Sequence, residues 1–105
     1  MEYQIIWTNT ADRQLSSRIV YIALNFGKKV ASERLLDIEK NILLLEDNPL
    51  LGSVPKDLTL KKMGFRVLIL EKNIVLYQVL EETKEVLICL FVDHRQDTIN
   101  IINGL

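Results

Sequence analysis

Three apolar runs close together in the second half of the chain limit the fold more than any other feature. Phe65–Leu70, Ile74–Leu80 and Glu85–Asp93 are rich in Val, Ile, Leu and aromatic residues. The polar stretches Glu71-Lys72-Asn73 and Glu81-Glu82-Thr83-Lys84 join them. Runs of this length read as strands, and strands separated by so few polar residues pair as hairpins. An antiparallel meander follows. Its strands are apolar on both faces, since Val75, Tyr77 and Val79 alternate with Ile74, Leu76 and Leu80. A sheet with one solvated face would alternate apolar with polar residues. Both faces here need cover.

The first half supplies one cover. Tyr3–Thr8 is aromatic and β-branched and reads as a strand. Thr8, Asn9 and Thr10 offer side-chain oxygens for a helix cap, and Asp12 suits a first helical turn. Leu15, Ile19, Ile22 and Phe26 then recur at helical spacing, and Gly27 stands where a left-handed stop is expected. A second helix is predicted from about Val30 to Leu45, striped by Ala31, Leu35, Ile38, Ile42 and Leu45 and ended by Asp47-Asn48-Pro49. The two stripes form an antiparallel helical hairpin. Leu50–Gly64 reads as an irregular middle holding both prolines, and Thr98–Leu105 as a short helix or an edge strand. The second sheet face is left to the tail, the irregular middle or another chain. A greasy central sheet and a standing partner site both fit.

A chain of 105 residues is read as one domain, residues 1–105. Thirteen Lys+Arg against fourteen Asp+Glu give a net charge of −1, which excludes nonspecific coating of nucleic acid. One cysteine forms no internal disulfide, and one Cys with one His does not complete a structural zinc site. No metal or cofactor is expected. Met1-Glu2-Tyr3-Gln4 is not a basic leader, and no apolar run approaches the ~20 residues of a membrane span. The expected setting is the cytoplasm, with no membrane partner.

Few residues offer chemistry. Neither a phosphate-cradling glycine loop nor a GxSxG elbow is present. Cys89 and His94 lie five apart on one predicted strand, ~16 Å along it, so a Cys–His dyad is rejected. Arg66 opens the first meander strand, and Asp93-His94-Arg95-Gln96-Asp97 closes the last. Residues 53–66 hold Lys56, Lys61, Lys62 and Arg66 against Asp57 alone, a local charge of +3. A histidine with nearby guanidinium and ammonium groups suits phosphodiester cleavage. Charged strand ends that merely brace the sheet exit fit the same residues.

Taken in order, these pieces resemble the RelE/ParE superfamily, the toxins of bacterial type II toxin–antitoxin pairs. The resemblance runs from Tyr3 to about Asn100. It rests on the opening strand with Thr8 and Ala11, then Tyr21-Ile22 and Gly27 at the bend. In the second helix it rests on Ala31, Leu35-Leu36, Ile38-Glu39 and Ile42, followed by Leu45, Pro49 and Gly52. Gly64-Phe65-Arg66, Val75-Leu76-Tyr77-Gln78-Val79 and His94-Arg95-Gln96-Asp97 complete it. It implies an α+β fold: an N-terminal strand, then a two-helix hairpin packed on a curved antiparallel sheet of about four strands. It also implies a cognate antitoxin whose flexible segment folds onto the toxin, with operator DNA reached only through that antitoxin.

The branches differ. RelE- and YoeB-like members cut mRNA on the ribosome, whereas ParE-like members poison DNA gyrase. Nucleases of the superfamily tend to carry basic residues within the first meander strand, where this chain has Val67-Leu68-Ile69-Leu70. The ParE-like branch is therefore favoured, with Lys61, Lys62, Arg66 and Arg95 as target-binding residues. In the alternative, a ribosome-dependent mRNA endonuclease, His94, Arg66 and Arg95 are catalytic.

Overall fold

The computed structural model describes residues 2–94. Strand β1 (Gln4–Trp7) leads into helices α1 (Asn9–Phe26) and α2 (Lys28–Leu43), and a 3-10 turn (Leu44–Glu46) closes the hairpin. A short helix α3 (Leu58–Lys62) precedes strands β2 (Phe65–Ile69), β3 (Asn73–Leu80) and β4 (Glu85–Asp93). The sheet order is β1-β4-β3-β2.

The α+β fold class stands, with three local corrections. The meander β2-β3-β4 is antiparallel, but β1 lies parallel to β4, so the sheet is mixed. Parallel neighbours need a long crossover, and everything between β1 and β4 serves as one. The expected irregular middle also contains α3, because the Asp57 side chain accepts from the Leu60 N–H at 2.9 Å and caps it. The second helix begins at Lys28 rather than Val30, directly after Gly27. Gly27 makes this possible: its φ of +96° joins two helices through one residue. The tail Thr98–Leu105 and Arg95 lie outside the described residues.

Thr8 fixes the hairpin to the sheet. Its Oγ1 accepts from the Ala11 N–H at 3.2 Å, capping α1, while its hydroxyl donates to the Ile88 carbonyl at 2.9 Å. Thr8→Ala is expected to lower stability by about 1–2 kcal/mol, whereas Thr8→Ser stays close to wild type, as read by urea unfolding.

The register passes from Leu76↔Leu90 to Tyr77↔Ile88, leaving Cys89 as the extra residue of a bulge. Such a bulge bends its strand and re-aims the side chains beyond it. Towards the helices, Val75, Tyr77, Val79, Val86, Ile88 and Phe91 pack on Ala11, Ile38, Ile42 and Leu45. Val67, Ile74 and Leu76 form a second buried cluster, against which Phe65, Leu90 and Val92 pack. The helix side of the sheet is dry, whereas the opposite side is only partly covered: Ile69 is exposed, and Gln78, Leu80 and Leu87 are half-buried.

Candidate functional site

Residues 49–64 are moored to the edge strand β2 and to Tyr77. Ser53 exchanges both main-chain hydrogen bonds with Val67, each 2.8 Å, and so continues the sheet past β2. The buried Tyr77 hydroxyl donates to the Pro49 carbonyl at 2.7 Å and accepts from the Gly52 N–H at 2.8 Å. Burial pushes this hydroxyl above its ordinary range, although the Gly52 bond and the Arg66 charge oppose the shift. Arg66 pairs with Tyr77 in the ladder and reaches the same loop. Its guanidinium donates to the carbonyls of Leu50 at 3.2 Å and Gly52 at 2.8 Å. Further on, Gln78 donates to the Met63 carbonyl at 2.8 Å.

This mooring decides what the segment displays. Leu50, Leu51, Val54, Leu58 and Met63 are all exposed, and so are Lys56, Lys61 and Lys62. Lys61 and Lys62 lie in the last turn of α3, where cations oppose the negative end of the helix dipole. Sequence reasoning picked out the lysines and passed over the apolar residues. The available signal was six large apolar side chains in a stretch broken by both prolines, too irregular to bury them all.

His94 lies elsewhere. It is exposed one residue beyond β4, and its N–H donates to the Lys72 carbonyl at 3.0 Å. Arg66 pairs with Tyr77, whereas His94 lies beside Lys72, ~17 Å away along β3. The two residues are also two strands apart across the sheet. They do not share a site. Cys89 is half-buried, its Sγ is 3.5 Å from the Leu87 carbonyl, and burial pushes the thiol up. It makes a poor nucleophile. Among the described residues, no group of three His, Cys, Asp or Glu side chains could hold a metal ion.

Two further surfaces are shaped for contact. A groove of about 900 Å³ runs between the edge strand β1 and the end of α2, lined by Ile5, Trp7, Leu36, Leu43 and Leu44 with Glu39 and Lys40. The Gln4 and Thr8 N–H groups turn to β4, while Ile5 and Trp7, opposite Val86 and Ile88, pack against the helix-side core at the rim of this groove. A cleft of about 870 Å³ separates α1 from the end of β4. Gln14 accepts there from the Phe91 N–H at 2.8 Å. Arg18 is ion-paired to Asp93, and its guanidinium lies 5.4 Å from the Tyr21 ring centre.

A helical hairpin on a four-stranded mixed sheet is the architecture of a RelE/ParE-type domain. Residues 5–99 match the family described as ParE toxin of type II toxin-antitoxin system, parDE. The chain belongs to this family, and is a toxin of the type II class. No curated protein sequence matches it.

Solved structures carry the same fold. The chromosomal ParDE toxin–antitoxin system from P. aeruginosa matches with a TM-score of 0.72 and 20% identity, covering 90% of this chain and 98% of that one. The intact RelBE toxin–antitoxin complex of E. coli matches with a TM-score of 0.53 and 13% identity, covering 90% and 99%. No helix of the described residues is long and apolar enough to cross a membrane.

Proposed function

We propose that this toxin inhibits DNA gyrase in the cytoplasm by protein–protein contact, and that a cognate antitoxin neutralises it. The observation that carries the reading is the state of Arg66. Its Nη1 holds two loop carbonyls and it stands far from His94, so the cation and the imidazole do not converge on one scissile bond. An mRNA endonuclease would need acid, base and cation to converge on one scissile bond. Lys61, Lys62 and Arg95 are then target contacts, and so is Arg66, which also holds the loop at Leu50 and Gly52.

The β1–α2 groove supports the antitoxin part of the reading. An apolar trough beside the edge strand of the described sheet takes an added strand or an amphipathic helix, the modes by which a flexible segment folds onto a partner. Operator DNA is reached through that antitoxin alone.

The test is induced expression without antitoxin, following DNA and protein synthesis by pulse labelling. DNA synthesis is expected to fall first, and His94→Ala is expected to leave the arrest unchanged. An early stop in translation that His94→Ala abolishes would replace this reading with the ribosome-dependent endonuclease.

A further inference from the structure

The segment 49–64 combines two properties that are rarely joined on a small acidic protein. It exposes large apolar side chains, Leu50 by 59% and Leu58 by 68%, and it carries three lysines against one acid. The one acid within it, Asp57, has its carboxylate on the Leu60 N–H. Lys56, Lys61 and Lys62 form no ion pair among the described residues. On the face of α3, Leu58 stands three and four residues before Lys61 and Lys62, so the apolar group and both cations share one side. The backbone beneath is pinned by Ser53–Val67, Tyr77 and Arg66. Display costs little ordering when a partner arrives, because the loop is already fixed.

We propose that this moored segment is a docking platform for an acidic, amphipathic segment of a partner protein. Leucines of the partner meet Leu58, Met63 and Val54, and its carboxylates meet Lys56, Lys61 and Lys62. The proposal deepens the gyrase reading, on which it rests, by giving the chemistry of the target's contact. Charge complementarity selects this occupant. A second copy of the chain would set lysine against lysine. Nucleic acid would use the lysines but would strand five apolar side chains, and residues 49–64 hold no aromatic ring for a base to stack on. A membrane surface is usually met by a longer amphipathic helix than the five residues of α3.

The experiment measures binding of three labelled helical peptides to the purified full chain by fluorescence anisotropy. One is built of Leu and Glu, one of Leu and Lys, and one of Ser and Glu. The Leu/Glu peptide is expected to bind about ten-fold more tightly than either control, and more weakly at high salt. Lys56→Glu/Lys61→Glu/Lys62→Glu and Leu58→Ser/Met63→Ser are each expected to lose about ten-fold. Lys28→Glu/Lys29→Glu/Arg34→Glu, on α2, makes the same change in net charge and keeps the affinity. Equal binding of all three peptides, unchanged affinity in both platform variants, or displacement of the peptide by anionic vesicles would each overturn the proposal.

A parallel gyrase assay separates the two readings. Peptide binding at the platform by a chain that leaves gyrase active overturns the gyrase reading and keeps the platform. Gyrase inhibition that both platform variants retain overturns the platform and keeps the reading.

Discussion

Replacing Gly52 by alanine is expected to lower stability by about 3 kcal/mol and to release residues 49–64 from the sheet. An added Cβ would lie 2.7 Å from the Val67 carbonyl oxygen and 2.8 Å from the Tyr77 hydroxyl. Neither neighbour yields. The Val67 carbonyl already accepts from Ser53, and the Tyr77 hydroxyl is held between Gly52 and Pro49. Overpacking of this kind costs about 1–3 kcal/mol, and each hydrogen bond loosened adds about 1 kcal/mol. The effect comes from contact and not from backbone conformation. Gly27 is the opposite case: a Cβ there meets nothing within 4 Å, and only its φ of +96° resists a side chain. Gly27→Ala is therefore expected to cost about 1–2 kcal/mol. Urea unfolding measures both. Wild-type stability in Gly52→Ala would mean that the loop is not seated on Tyr77.

Removing the Tyr77 hydroxyl isolates the mooring itself. Tyr77→Phe leaves the Gly52 N–H and the Pro49 carbonyl without their partner, at a cost of about 1–3 kcal/mol. The variant also reports through pH. Burial raises the hydroxyl in the folded chain above its ordinary value of 10.0. A proton held more tightly by the folded state stabilises it below the unfolded value, and that stability is lost as pH rises through the folded one. Wild type is thus expected to lose stability above pH 10, and Tyr77→Phe to fall less steeply. Part of the slope remains in the variant. Burial raises Cys89 from 9.0, while Tyr3 is raised from 10.0 chiefly by its bond to Glu81. Urea midpoints taken from neutral to strongly alkaline pH measure the difference. Identical slopes would show that Tyr77 is not buried against the loop.

The elements were legible wherever hydrophobic period and turn chemistry agree. Phe65, Leu80, Glu85 and Asp93 bound strands as the apolar runs indicate, and Gly27 marks the hairpin bend. The partner of β1 was not legible. Which strand lies beside Tyr3–Thr8, and in which sense, depends on chain closure around the whole core rather than on any local pattern. The bulge at Cys89 leaves no mark either, since every residue from Val86 to Val92 is apolar and either parity buries well. Helix α3 did carry a signal, Asp57 three residues before Leu60, hidden by the two prolines upstream.

Candidate residues fared unevenly for a physical reason. A guanidinium at a strand end reads the same whether or not it holds loop carbonyls, and only the structure shows that the Arg66 Nη1 does. In the sequence only their charge-bearing type links His94 and Arg66, while the register sets them at different ends of β3. The exposed Leu58 and Met63 were hidden by their type, because apolar residues are read as core until burial says otherwise.

The most direct measurement is supercoiling of relaxed plasmid by purified gyrase, titrated with the purified chain, alongside mRNA integrity on programmed ribosomes. Dose-dependent loss of supercoiling with intact mRNA is the expected result. Full gyrase activity with ribosome-dependent cleavage of the message would contradict it.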